Sequence, residues 1–471
     1  MISTTGASMG RIIMAFMGLM LAVTSALPSS IYARGAPLTP ADDPFYQTPA
    51  GFESEEPGTI LRQRSISVSF LGLLPDPVDS YQLLYRTTAI NGSAIATVTT
   101  IFKPSNAMTD RFISFQTAYD SSATMCDPSY TYQRSAAQTD LITSAEELIM
   151  QAYLLEGYIV ASPDYEGPDA AFSAGHLAGM GTLDGMRAVA NFESLGLSSN
   201  PMIVGIGYSG GALATGWTAS LQPSYAPELA IKGWVQGGTP ANLTGTLLNI
   251  DGTLFSGFIP DAVAGLSSPS AYGAELNTLL NSILTSAGQS KIDYAKTHCA
   301  VDDLVSFAGQ SVFSTSFQTL GDGLLYNPTV HSVMIQNTMG ANEAETPTAP
   351  VFVYHASQDE IIPYADVVTL VNAWCNYGAS VKFTTFANGG HATTEVVALP
   401  DAIEFVKSAF AGTTQSGCSR NTELKSILNP IALGVELEPI VAKLIDVVLK
   451  LGAEDDNVLQ DLEVLYDSIT W

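Results

Sequence analysis

Ser209 stands in Gly207-Tyr208-Ser209-Gly210-Gly211, after the apolar run Met202-Ile203-Val204-Gly205-Ile206 and before the small residues Ala212, Ala214 and Gly216. That succession predicts a strand, a sharp turn and a helix. Glycines two before and two after the serine leave room for a strained turn that lifts its hydroxyl clear of the backbone. Ser209 is thus a candidate nucleophile. A serine hydroxyl attacks poorly at neutral pH, so it needs a histidine to take its proton and an acid to orient that histidine.

In an α/β-hydrolase the chain order after the serine is acid, then histidine, which excludes His176 and leaves His298, His331, His355 and His391. His391 is the preferred base. It follows the turn Asn388-Gly389-Gly390 and directly precedes a helix-like stretch from about Thr394 to Phe410. His355 is the alternative; it ends the apolar segment Val351-Phe352-Val353-Tyr354 and reads otherwise as a strand-end residue packed near the site. The acid belongs on the loop leaving that buried strand, His355-Ala356-Ser357-Gln358-Asp359. Asp359 is preferred over its neighbour Glu360 and over Asp366, one turn into the following helix; its alternative role is a helix cap or a solvated loop carboxylate. Between acid and base there is room for one helix, Tyr364 to Cys375, and one strand, Val381 to Phe386.

Acyl transfer also requires N–H donors aimed at the oxyanion. Gly210, following the nucleophile, supplies one. The second is expected on a loop after an early core strand, and Phe112 to Gln116 is such a strand, followed by Thr117 to Ser122. Asp120 is the candidate there, through its N–H and, if protonated, through its carboxyl. The competing reading is a turn aspartate making a local Asx bond.

These residues resemble the fungal secretory lipases of the Candida antarctica lipase A type, α/β-hydrolases that cleave triacylglycerols. The resemblance rests on Gln116-Thr117-Ala118-Tyr119-Asp120-Ser121, on Pro163-Asp164-Tyr165-Glu166-Gly167-Pro168 and on the serine turn, with Gly237-Gly238-Thr239-Pro240-Ala241-Asn242-Leu243 and the Asp359 and His391 loops in addition. It implies Ser209, Asp359 and His391 as nucleophile, acid and base, and Asp120 and Gly210 as the oxyanion hole. It is weakest over roughly 245 to 340 and after 430. The implied substrate is a lipid ester at an oil–water interface, and no cofactor or metal is expected.

The first 26 residues read as a signal peptide, with Arg11 as the basic flank, Ile12 to Val23 as the apolar stretch and Thr24-Ser25-Ala26 as a small-residue cleavage site. The apolar stretch is short of the roughly 20 residues of a spanning helix. A secreted enzyme without a membrane segment is expected. In an exported chain the four cysteines, Cys126, Cys299, Cys375 and Cys418, suggest two disulfides with three possible pairings. Resemblance favours Cys126 with Cys299, tying an inserted segment to the core, and Cys375 with Cys418, pinning the last core helix. Their scatter argues against a metal site. Asn91-Gly92-Ser93 and Asn242-Leu243-Thr244 match the glycosylation sequon, the first in an expected surface turn and the second in a more enclosed place. With 45 acidic against 18 basic residues the net charge is −27, which excludes nucleic acid as a natural partner and suits an acidic medium.

The expected fold is an α/β-hydrolase, a mostly parallel sheet with helices on both faces and an inserted, mainly helical cap. From about 65 to 240, apolar strands alternate with helical stretches; 35 to 57 reads as an arm laid on the surface. The expected division is a signal peptide over 1–26, a first core part over 27–243, a cap over 244–340, a second core part over 341–420 and a tail or flap over 421–471. Within the cap, Ala274 to Ala287 reads as one helical segment; a plain helical subdomain without a gating role is the other reading. The function expected is triacylglycerol hydrolysis through an acyl-enzyme on Ser209 by a monomer. A short-chain esterase, acyltransferase or peptidase would use the same groups, and a non-catalytic secreted binding protein is the remaining alternative.

Overall fold

The computed structural model describes residues 36–70, 74–75, 77–137 and 141–424; the expected leader and the tail beyond 424 lie outside the described residues. Ten strands form one sheet: β1 Ile60–Ile66, β2 Asp79–Thr88, β3 Ala94–Lys103, β4 Arg111–Gln116, β5 Ile159–Pro163, β6 Met202–Tyr208, β7 Ile231–Gly237, β8 Val351–Ala356, β9 Val381–Phe386 and β10 Ser419–Glu423. Their spatial order is β1-β2-β3-β5-β4-β6-β7-β8-β9-β10. The first three strands are antiparallel to their neighbours, and every pairing from β5 to β10 is parallel. The order reverses between β4 and β5, and the sheet is an α/β-hydrolase sheet preceded by an antiparallel meander. Among the described residues no helix intervenes between β1 and β4, so the alternation expected from residue 65 begins only after β4. The five residues 89–93 between β2 and β3 cannot carry a crossover helix, and β1 with β2 and β2 with β3 pair as antiparallel neighbours.

The central strands are apolar along their whole length because both faces are covered. Ile203 and Val353 enter the core formed with α2 (Gly175–Ala190), α3 (Gly210–Tyr225) and α10 (Tyr364–Asn376), through Leu183, Trp217 and Trp374. Their neighbours Val204 and Phe352 point the other way, to α1 (Leu141–Leu155) and α11 (His391–Ala411), through Met150, Val396 and Val406. This is the period-two alternation of a strand, applied to two apolar layers. The arm over 36–57 lays Phe45, Tyr46 and Phe52 against Leu84, Ala96 and Val98 on β2 and β3.

Between β7 and β8 lie α4 Leu243–Ile250, α5 Phe258–Leu266, α6 Gly273–Ile283, α7 Ser286–Ala295, α8 Ala300–Phe307 and α9 Pro328–Gln336. They have their own small core of Ile250, Ile259, Ile283, Ile292, Val312, Phe317 and Leu324. The stretch expected to be one helix over 274–287 is two. Thr285 accepts a hydrogen bond from the Gly288 N–H and caps a new helix, so the chain turns there.

One boundary and one attachment differ at the C-terminal side. Residues 419–423 form β10, hydrogen-bonded to β9, so the sheet takes in the first residues assigned above to the tail. The Cys375–Cys418 disulfide ties the end of α10 to the start of this edge strand rather than pinning the last core helix, α11. Cys126–Cys299 joins the loop after β4 to the start of α8 and thus ties the inserted segment to the core.

Candidate active site

Ser209 leaves β6 with φ 50° and ψ −122°, a left-handed conformation costing roughly 1–3 kcal/mol for a residue with a side chain. Backbone bonds hold it there: its N–H donates to the Gly237 carbonyl at 3.0 Å, and its carbonyl accepts the Leu213 N–H at 3.0 Å. Gly211 is dictated by close approach. A Cβ at that position would lie 1.9 Å from the Gln116 carbonyl oxygen, backbone that has nowhere to go. The elbow is therefore seated directly on the strand that leads into the Asp120 loop.

The carboxylate and histidine expected as acid and base, Asp359 and His391, arrive from β8 and β9 in that order. His391 is the first residue of α11, closer to the helix than the loop position expected. Its Nε2 lies 2.8 Å from Ser209 Oγ and its Nδ1 2.8 Å from Asp359 Oδ2. The other oxygen, Asp359 Oδ1, accepts the N–H groups of Ile361 and Ile362 at 3.0 and 2.8 Å. Burial would raise the Asp359 carboxyl, but the His391 and His355 rings beside it and the Ile362 N–H hold it below its ordinary value. Burial would likewise depress His391; the Asp359 charge and hydrogen bond, with Glu360 and Glu395 behind, carry it instead to about 9. Oriented by a carboxylate and touching a hydroxyl, such an imidazole can take the proton of Ser209.

Several neighbours complete the arrangement. His355, the alternative base, does not reach Ser209; it is fully buried, its Nε2 3.3 Å from Asp359 Oδ2 and 3.0 Å from the Ile362 carbonyl. Glu360, weighed above as the acid, accepts the His391 N–H at 2.9 Å and sets the start of α11. Tyr208 donates its hydroxyl hydrogen to the His391 carbonyl. Gly238 has φ 54°, and a Cβ there would stand 2.7 Å from His391 Cε1, so only glycine lets β7 turn beneath the ring. Sequence reasoning placed Gly238 in a motif without this role. Asp366 pairs with Asn242, away from the imidazole.

Asp120 sits beside the elbow with φ 45°; a Cβ on Gly210 would come within 1.7 Å of its Oδ1. The segment 163–168 buttresses this loop. The Glu166 N–H donates to the Tyr119 hydroxyl at 2.9 Å, and the Tyr119 and Tyr165 rings meet at 5.0 Å. Ser209, Gly210 and Asp120 face a cavity of ≈ 1110 Å³, counted out to open solvent, whose other walls are almost wholly apolar. Leu243, Leu247, Ile259, Val263, Leu276, Val333 and Met334 contribute, drawn from α4, α5, α6 and α9. Among the described residues no group of three or more His, Cys, Asp or Glu is placed to hold a metal, and no helix is long and apolar enough to cross a membrane.

A doubly wound sheet with this serine elbow, histidine and carboxylate at the C-terminal ends of its strands defines an α/β-hydrolase. Residues 132–417 match the family model described as "Secretory lipase", and the chain belongs to that family. It is 43% identical over 406 residues to the secreted triacylglycerol lipase LIP1 of Malassezia furfur, covering 85% of this chain and 82% of that one. To the secreted triacylglycerol lipase LIP3 of Malassezia restricta it is 39% identical, covering 83% and 84%. Among solved structures it is similar to Candida antarctica lipase A in its closed state, with a TM-score of 0.79 and 32% identity, covering 86% of this chain and 95% of that one.

Because Glu360 is one of the charges that raise His391, Glu360→Gln is expected to lower the pH at which the imidazole gains its proton. The base works only when neutral, so kcat/KM falls as pH drops through the His391 pKa. In Glu360→Gln that acidic limb moves to lower pH, as initial rates across pH 4–10 would register; an unmoved limb would leave Glu360 a purely structural contact.

Proposed function

We propose that this protein is a secreted triacylglycerol lipase that works through an acyl-enzyme on Ser209. The observation that carries this reading is the unbroken chain Asp359 to His391 to Ser209, opening onto an apolar cavity roofed by the inserted helices. In the first half-reaction His391 Nε2 takes the Ser209 proton as Oγ attacks the ester carbonyl. The oxyanion gathers N–H bonds from Gly210 and Asp120. His391 then returns the proton to the departing glyceride alcohol, and water enters by the same route to release the fatty acid. Asp359 stays ionised throughout, orienting the ring and stabilising its charged form.

An apolar enclosure of this kind serves the acyl chain rather than a polar substrate. In this reading the helices over 243–336 are a cap that encloses the chain and excludes water from the ester. The names of the relatives support both triacylglycerol as substrate and export from the cell. Of the two sequons, Asn91 is the glycan site we infer: it lies exposed at the tip of a turn. Asn242 instead caps α4, accepting the Thr244 N–H at 3.1 Å and donating to Asp366.

The test is labelling with a long-chain alkyl phosphonate, mapped by peptide mass, alongside initial rates on tributyrin and triolein. Label on Ser209 with triolein turnover is the expected result. Label with tributyrin turnover alone would make the protein a short-chain esterase, and absence of both would mean a scaffold without catalysis.

A further inference from the structure

The loop carrying Asp120 is fastened to the cap at several points. Ser122, two residues on, donates its N–H to Asp261 Oδ1 at 3.1 Å and its hydroxyl to the Asp261 carbonyl at 2.7 Å, both on α5. Ser121 Oγ accepts the Ala300 N–H at 2.8 Å, at the first residue of α8. The Cys126–Cys299 disulfide lies beside it. The far ends of these two attachments meet, because α5 packs on α8 and sets the Asp261 carboxyl against the carboxyl of Asp303, close enough for one proton to serve both. Both side chains are fully buried.

Two carboxyl groups can bond to each other only if a proton lies between them. Here nothing else supplies one. Asp261 Oδ2 and both Asp303 oxygens have no other donor among the described residues, and neither residue forms an ion pair with lysine or arginine. The surroundings are mostly acidic: Asp120 and Glu166 face the pair from the core, and Asp302 faces it from α8, with His298 just ahead of that helix as the opposing titratable group. Buried like charges in contact cannot both ionise near neutrality, so the pair titrates as a unit.

We propose that Asp261 and Asp303 form a proton-sharing clamp that sets the oxyanion loop, with Asp261 a positioning residue for catalysis acting through Ser122 on Asp120. With one proton in the pair, α5 and α8 are drawn together and the Asp120 N–H is aimed at the reacting carbonyl. With both carboxyls ionised, they repel, α5 moves from α8 and Ser122 takes the loop with it. Burial, followed by the neighbouring Asp303 charge, pushes the Asp261 carboxyl well up, and burial carries Asp303 to about 7, so the clamp is closed through acidic pH and opens as pH rises and the last shared proton leaves. The proposal rests on the reading of Asp120 as an oxyanion donor.

Asp261→Asn tests it. The amide oxygen still accepts the Ser122 N–H, and the amide N–H donates to Asp303 at every pH. The expected result is that kcat of the native enzyme falls on the alkaline side with KM little changed, while the alkaline limb of D261N is displaced upward or removed, under conditions where far-UV circular dichroism shows both folded. Asp261→Ala, which removes the carboxyl that accepts the Ser122 N–H and leaves only the backbone carbonyl to its hydroxyl, should lower kcat about 100-fold at the pH values where the native clamp is closed, with KM again little changed, the scale of a misplacement of about 1 Å. If D261N does not fold, Asp303→Asn, which leaves an acceptor for the Asp261 proton, takes its place. An alkaline limb identical in D261N and the native enzyme overturns the clamp. A structure of the phosphonate adduct separates the two ideas: a phosphoryl oxygen away from the Asp120 N–H removes the oxyanion reading, whereas one seated on it beside an unmoved pH profile removes the clamp alone.

Discussion

Ser209→Ala is expected to lower kcat on triolein and tributyrin alike by on the order of 10⁶-fold, the scale seen when a serine hydrolase loses its nucleophile. The substitution deletes only the oxygen 2.8 Å from His391 Nε2. It leaves the strained φ of 50° to be borne by alanine, held by the same two backbone bonds. The melting temperature should therefore change little, and substrate should still bind in the apolar cavity. His391→Ala in the same assay should give a comparable loss, and the double variant no more than either single one, because groups that act as a unit are not additive. Retained triolein turnover by Ser209→Ala would rule out the acyl-enzyme, wherever else the phosphonate had reacted.

The second large effect is on stability. Asp164 and Asp303 are raised by burial to about 7, and Asp127, Glu166 and Asp261 are raised well above the ordinary carboxyl range, in each case first by burial. The sign runs opposite to that of a salt-bridged carboxylate. The unfolded chain releases these protons near pH 4, whereas the folded chain keeps those of Asp164 and Asp303 to about pH 7 and those of the other three well above the ordinary carboxyl range, so across that window the unfolded state holds fewer protons and stability falls as pH rises. A single group retained over about three pH units amounts to about 4 kcal/mol. Asp359, whose carboxyl is held below its ordinary value, acts in the other sense but only below the window. Calorimetry from pH 4 to pH 8 should show the melting temperature declining by several degrees per retained proton. A melting temperature that rises over this range would mean that these carboxyls are ionised in the folded protein.

Much of the architecture was legible because it depends on near neighbours in the chain. Met202 to Ile206 is apolar on both faces, so it belongs in the centre of a covered sheet, and Gly207 to Gly211 can hold a strained serine turn. The order serine, aspartate, histidine along parallel strands puts all three loops at one end of the sheet, whatever their side chains then do. The antiparallel start was less legible. Ile60–Ile66 alternates with arginines and glutamine and sits at the sheet edge, where an apolar run is not required. The break at Leu284–Thr285 was hidden for a different reason: the apolar period continues across it, and only the cap made by the Thr285 hydroxyl separates the two helices.

By itself the sequence determined the elements, their order and the short list of residues able to do chemistry, since strand burial, turn glycines and helix caps are local requirements. Tertiary structure alone decided what those residues touch. It put Glu360 on the His391 N–H rather than in the acid's place, buried His355 behind Asp359, and joined Cys375 to the edge strand. It also brought Asp261 to Asp303 across 42 residues of chain and fastened Asp261 and Ala300, at the start of α8, to the loop of Asp120. Contacts of this kind follow from how helices and sheet close around a shared interior, and no spacing along the chain encodes the partner of a buried carboxyl.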